Sequence, residues 1–192
     1  MKIKLYIEGG GDSALQDTLF RQGWQCFFEK AGLKGKMPST FRGSGRTQTF
    51  DAYRIAVRTQ KANELPMLLV DSEDLVDSAD SVWEHLQKRD GWERPEGAGA
   101  EDAFLMVCVM ETWFLADRVA LQSFFHKCWN DRASPKWPDL ESVPKESVLD
   151  ALLRATATCG KKVYSNRSKG KLSFELLKEI NPTTVEANCP AA

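Results

Sequence analysis

Three apolar runs in this chain each end in a carboxylate. Leu5-Tyr6-Ile7 delivers Glu8, Met67-Leu68-Leu69-Val70 delivers Asp71, and the run from Phe104 to Met110 delivers Glu111. Three glycines follow the first acid and lead to Asp12, while Glu73 and Asp74 closely follow the second. Carboxylate oxygens are hard ligands, and Mg2+ or Mn2+ is commonly held by one or two of them with waters and substrate phosphates. Glu8, Asp12, Asp71, Glu73, Asp74 and Glu111 are therefore candidate ligands, and Glu111 is either a ligand or a hydrogen-bonding anchor. One acid at a strand end is often just solvated; acids at two such ends favour a shared site.

Two basic stretches could meet a phosphate drawn to that metal. Arg42 and Arg46 lie among glycines in Arg42-Gly43-Ser44-Gly45-Arg46, where backbone N–H groups and guanidinium forks can converge on an anion. The run from Lys161 to Lys171 is the most basic in the chain. If Lys169 and Lys171 fold back over the acids, they would steady charge developing on a phosphate. The competing reading for both stretches is a solvated surface. A nucleotide phosphate loop does not fit, since the glycine corner lacks the Gly-Lys-Ser/Thr sequence and the third glycine of G-x-G-x-x-G.

The elements that must carry these residues alternate between strand and helix. Strands are predicted over 3–7, 37–41, 66–70 and 104–110. Helices are predicted over 13–31, 49–62, 79–89 and 117–129, the first opening on a Ser13/Gln16 capping-box pattern. Such alternation implies an α/β fold with a parallel sheet and right-handed crossovers. Its ligands belong at the carboxyl ends of the strands. Residues 3–130 form this core, with 90–102 as a loop suited to an insertion or flap. Residues 131–182 form a helical extension with helices near 142–158 and 173–180, the latter stopped by Pro182. Residues 183–192 are expected to be a disordered tail. His85 reads more readily as a packed or surface histidine than as a base.

Composition narrows the partners. At 192 residues with 42% apolar and 28% charged residues, the chain is a globular protein rather than a disordered one. A net charge of −1 gives no general basic field for nucleic acid, so a polyanion needs a local patch, a metal or a partner protein. Five scattered cysteines with no C-x-x-C pair suggest reduced thiols in a cytoplasm. No run reaches membrane-spanning length, and Met1-Lys2-Ile3-Lys4 enters the first strand directly, so neither a membrane nor a targeting segment is expected.

The corner Glu8-Gly9 with Asp12, followed by Asp71-Ser72-Glu73 at a later strand end, resembles the Toprim pattern. There, a glutamate-glycine corner precedes an Asp-x-Asp; this chain departs from it with Glu73 in the second acidic place. The wider sequence, including Trp83-Glu84-His85-Leu86, Arg89-Asp90-Gly91-Trp92 and Met110 to Asp117, is similar to a family of small bacterial Toprim-like proteins. These are related to the nuclease domain of overcoming-lysogenization-defect proteins. The resemblance implies a Toprim-like, Rossmann-like fold and metal-dependent cleavage of DNA or RNA. It further implies an ATPase partner in anti-phage defence and nominates Lys169 or Lys171 as the catalytic lysine. Glu8 would act as base or metal-positioning acid, with Asp71 and Glu73 holding the metal. A non-catalytic sensor subunit that binds an ATPase is the alternative, and self-association stays open.

Overall fold

The computed structural model describes residues 1–9 and 13–191, so Asp12 lies outside the described residues. In β1 (Lys2–Glu8) the buried Leu5 and Ile7 alternate with Tyr6, as the two-residue period of a strand requires. β3 (Glu64–Asp71) instead buries Leu68, Leu69 and Val70 in succession, because helices cover both of its faces. Shorter strands flank this pair, β2 (Ser39–Gly43) beside β1 and β4 (Ala103–Met106) beside β3. The sheet is all parallel with order β2-β1-β3-β4. This is the predicted α/β architecture, a Rossmann-like parallel sheet flanked by helices.

Each face of the sheet has its own core. On one side α2 (Arg46–Thr59) and α3 (Val82–Asp90) bury Phe50, Tyr53, Trp83 and Leu86 against Leu68 and Val70. On the other lies α1 (Ala14–Lys30), opened by the expected Ser13–Gln16 capping box, with Phe20, Trp24 and Phe27 inward. The helices α4 (Glu111–Ala116), α5 (Arg118–Phe125), α6 (Lys145–Ala155) and α7 (Lys169–Glu179) join that second core. Phe174 of α7 meets Phe20 edge to face at 5.4 Å. A fully buried side chain of this size contributes roughly 1.5–3 kcal/mol. The C-terminal helices therefore complete the central layer rather than decorate it.

Several local expectations are corrected. β4 stops at Met106, short of 110, because the chain turns at Cys108, whose φ is 58°. The segment beyond Pro182 is not a disordered tail: α8 (Pro182–Asn188) follows, and Val185 and Cys189 are buried. Pro182 opens this helix, at a position where its missing N–H costs nothing, instead of only ending the one before. The loop 90–102 is fastened by Trp92 stacked on Phe50 at 4.3 Å, and by Trp83 Nε1 donating to the Gly99 carbonyl at 3.3 Å. Cys128 and Cys159 form a disulfide, so the expectation of five reduced thiols does not hold. Their segments are held together by Asn130 N–H donating to the Ala155 carbonyl at 2.8 Å and Thr158 Oγ1 donating to the Cys128 carbonyl at 3.1 Å. No helix among the described residues is long and apolar enough to cross a membrane.

Candidate functional site

Parallel strands bring all their carboxyl ends to one edge of the sheet, and register decides what meets there. Ile7 pairs with Leu69, and Asp71 pairs with Met106. By alternation, Asp71 belongs to the face of Ile7 and Leu69, while Glu8 belongs to the face of Leu68 and Val70. The two acids thus end adjacent strands on opposite faces, and both open into one cavity of about 410 Å3. Glu73, Glu111 and Lys169 line the same cavity.

The strand ends carrying Asp71 are held in a costly conformation. Glu73 and Cys108 both adopt left-handed φ, 67° and 58°, which costs a non-glycine residue about 1–3 kcal/mol. The Glu73 N–H donates to the Cys108 carbonyl at 2.8 Å, and the Cys108 N–H donates to Ser72 Oγ at 2.6 Å. Buried His85 contacts the Ser72 carbonyl through Nε2 at 3.0 Å, so it is a packed histidine. Strain kept by so many hydrogen bonds tends to mark a working site, where geometry is specified at the expense of stability.

Asp71 Oδ1 accepts the Met110 N–H at 2.8 Å. Burial comes first, then the charges of Glu111 and Glu8, in pushing its carboxyl well above the usual range, against the pull of Lys169. Asp71 makes no ion pair among the described residues. Each neighbouring acid does. Burial likewise raises Glu8, and it outweighs the lowering effect of Arg46, whose Nη1 lies 3.2 Å from Glu8 Oε2. Glu73 pairs with Lys145 and lies 3.8 Å from Arg89. Asp74 pairs with Arg89 at 3.1 Å, has a 72% exposed side chain and stands outside the cavity lining, so it leaves the candidate ligand set.

Neither arginine nominated for phosphate is placed to take one. Arg46 is the first residue of α2, and its fork holds Asp90 at 2.9 and 2.7 Å. It also donates to the Asp71 carbonyl and lies 5.0 Å above the Trp92 ring. Its role is to fix Glu8 and the end of β3. The close approach of α2 to β2 requires Gly43, where a Cβ would fall 1.8 Å from Thr49 Oγ1. Arg42 pairs with Asp17 at 2.8 Å and lies across Gly9, where a Cβ would meet its Cγ at 2.8 Å. Carboxylates close by in the fold have taken both guanidinium groups.

Glu111 makes the hydrogen bonds expected of an anchor, and it opens a helix instead of ending a strand. It opens α4, is 1% exposed, and its Oε1 accepts from Tyr164 Oη at 2.5 Å and Ser173 Oγ at 3.4 Å. Lys169 Nζ stands 3.3 Å from the same oxygen. Burial alone would lower the Lys169 ammonium, but Glu111 and Asp71 carry it above its ordinary value. Burial and then Glu111 push the Tyr164 phenol well up. Lys171 does not join them: two residues further along α7 it points elsewhere, is 61% exposed, and pairs with Glu175 at 3.7 Å.

Sequence reasoning missed Tyr164, Ser173 and Lys145, whose roles depend on contacts distant in the chain. Asp90 and Trp92 were visible only as part of Arg89-Asp90-Gly91-Trp92, with nothing to assign them to Arg46.

Among the described residues, no group of three or more His, Cys, Asp or Glu side chains is arranged to hold a metal ion. What the cavity offers is a pair, Glu8 and Asp71, and neither Glu8 Oε1 nor Asp71 Oδ2 accepts a hydrogen bond from a described residue. Two hard carboxylates fit Mg2+ or Mn2+ bound jointly with a phosphate, and they do not fit zinc, which favours nitrogen and sulfur.

No curated protein and no solved structure matches the chain. A family does match, over residues 7–192, which takes in Glu8, Asp71, Glu111 and Lys169. The chain belongs to the family described as a domain of unknown function, DUF4276.

Proposed function

We propose that this chain is a divalent-metal-dependent nuclease of Toprim-like type, cleaving phosphodiester bonds in DNA or RNA. The observation that carries the reading is Asp71. It is a crowded carboxyl at a strand end, close to Glu8 and two residues before the strained Glu73, and it forms no ion pair with the described residues. Such a group is costly as an anion and is relieved by a cation from outside.

Glu8 and Asp71 would hold Mg2+ or Mn2+. When bound, the ion would polarise a phosphoryl oxygen and make a bound water more acidic. The chain's own residues do the rest. Lys169, held by Glu111 and through it by Tyr164 and Ser173, offers an ammonium to the phosphate. Arg46 orients Glu8 by one oxygen, leaving Oε1 for the ion.

The sequence resemblance supports an ATPase partner and a role in anti-phage defence. The charge distribution supports a partner as well, because Arg42 and Arg46 are engaged within the fold and the chain carries a net charge of −1. That same observation favours the second reading, a sensor subunit that binds an ATPase without cutting. A nuclease panel on DNA and RNA separates the two readings. It is run with Mg2+ or Mn2+, with and without the protein encoded next to it. Cleavage that disappears in Asp71→Asn and Glu8→Gln is expected; no cleavage in any arm, with the ATPase still bound, would favour the sensor.

A further inference from the structure

A second cavity, of about 540 Å3, adjoins the acid-lined one, and Asn166, Arg167 and Lys169 line both. The wall between them is therefore the short segment that leads into α7. Beyond it the second cavity is floored by Leu149 and Leu153, one turn apart on α6, with Tyr164 beside them. Leu149 is partly buried and packs against the core, whereas Leu153 faces out. Val148, Ala151, Leu152 and Ala155 make the inward stripe of α6, while Leu153 remains 42% exposed. Arg167 is exposed and forms no ion pair among the described residues, so its guanidinium is open to an anion.

We propose that this second cavity binds the base of the nucleotide next to the cleaved phosphate, so that the substrate is a strand and not a mononucleotide. The inference rests on the nuclease reading of the acid cavity. A base needs an apolar surface beneath it and polar groups at its edge; Leu149 and Leu153 supply the first, and the Asn166 amide the second. The phosphate linking the two nucleotides would pass the dividing wall, where Lys169 and Arg167 stand. The far rim carries Glu146, which repels a phosphate and can accept from a base amino group, and Asp150, whose carboxylate is paired with Arg154 at 2.9 Å. The order of charges along the two cavities thus runs acid pair, two cations, apolar floor, acid. That suits phosphate at the centre and a base at the outer end.

The test compares two substrates in Mg2+. One is a short single-stranded oligonucleotide; the other is methyl p-nitrophenyl phosphate, a diester whose one ring is the leaving group and which carries no base for the second cavity. Leu153→Asp should reduce cleavage of the oligonucleotide roughly tenfold more than cleavage of the small diester, as loss of one apolar contact implies. Arg167→Ala should flatten the salt dependence of oligonucleotide binding by about 0.7 units of slope, one phosphate contact on a single strand. Equal losses on the two substrates, or none on either, would overturn the subsite while leaving the nuclease reading in place. If the wild-type chain cleaves neither substrate, the nuclease reading fails first and the subsite fails with it.

Discussion

Replacing Asp71 with asparagine should make this protein more stable at neutral pH when no divalent metal is present. The cause is the elevated carboxyl, crowded by burial, Glu111 and Glu8. An acid whose pKa is higher in the folded than in the unfolded chain keeps its proton longer when folded. Stability is then greatest below the ordinary carboxylate value, near 4, and falls as pH rises through the folded value. Each unit of elevation costs about 1.4 kcal/mol once the group is ionised. For a chain of 192 residues that corresponds to about 3–6 °C in Tm per unit. Asparagine removes the charge but keeps an oxygen for the Met110 N–H, so the main hydrogen bond survives. The assay is a thermal scan in EDTA from pH 4 to pH 8, wild type against Asp71→Asn. The variant should match the wild type at pH 4 and pull ahead as pH rises. Mg2+ should then reverse the order. At a hundred times its Kd the ion stabilises the wild type by about 2.7 kcal/mol, and the variant should lose most of that. An Asp71→Asn protein that is less stable than wild type at every pH, with no response to metal in either, would refute the reasoning and make Asp71 a structural residue.

Other residues give separate expectations. Arg46→Ala should cost about 3–5 kcal/mol in urea unfolding, because Glu8 and Asp90 would lose a partly buried partner. Lys169→Ala should abolish most cleavage, whereas Lys171→Ala should leave turnover intact and change stability by no more than about 0.5 kcal/mol; equal effects of the two would mean α7 is wrongly phased. Tyr164→Phe should cost about 1.5–3 kcal/mol by chemical denaturation, the range for a hydrogen bond to a charged group, since its hydroxyl meets Glu111 at 2.5 Å. Alkylation of the unreduced, unfolded protein should label Cys26, Cys108 and Cys189 only. Reduction should lower stability by about 3–4 kcal/mol, as expected for a cross-link that closes a loop of this length.

The positions of Glu8 and Asp71 were legible because they depend only on local pattern. A run of apolar residues fixes a strand, parallel strands share a carboxyl end, and the acid that ends the run must stand at that edge. Glu111 defeated the same logic. Its run is as apolar as the others, yet β4 ends at Met106, because a left-handed turn at Cys108, held by Ser72, redirects the chain before the run is over. No local signal marks a non-glycine residue that will be forced to positive φ by a partner in another strand. The choice between Lys169 and Lys171 stayed open for a related reason. It depends on the phase of α7, which begins at Lys169 rather than at Ser173 and so puts the two lysines on different sides of one helix.

Charge pairing was the least legible feature, and it has the largest consequence for function. Sequence offers Arg42, Arg46, Lys169 and Lys171 as equivalent cations for a phosphate. The fold distributes them by proximity: Arg42 to Asp17, Arg46 to Glu8 and Asp90, Lys169 to Glu111, and Lys171 to Glu175. Lys145, which no pattern singled out, takes Glu73. This leaves Asp71 as the acid in the cavity with a backbone N–H for a partner and no ion pair among the described residues. A buried carboxylate in that position is not what stability alone would select, since asparagine would make the same hydrogen bond without the charge. Its presence at the end of the strand makes sense if a divalent cation binds there with the substrate, and the metal titration of the Asp71→Asn pair measures that directly.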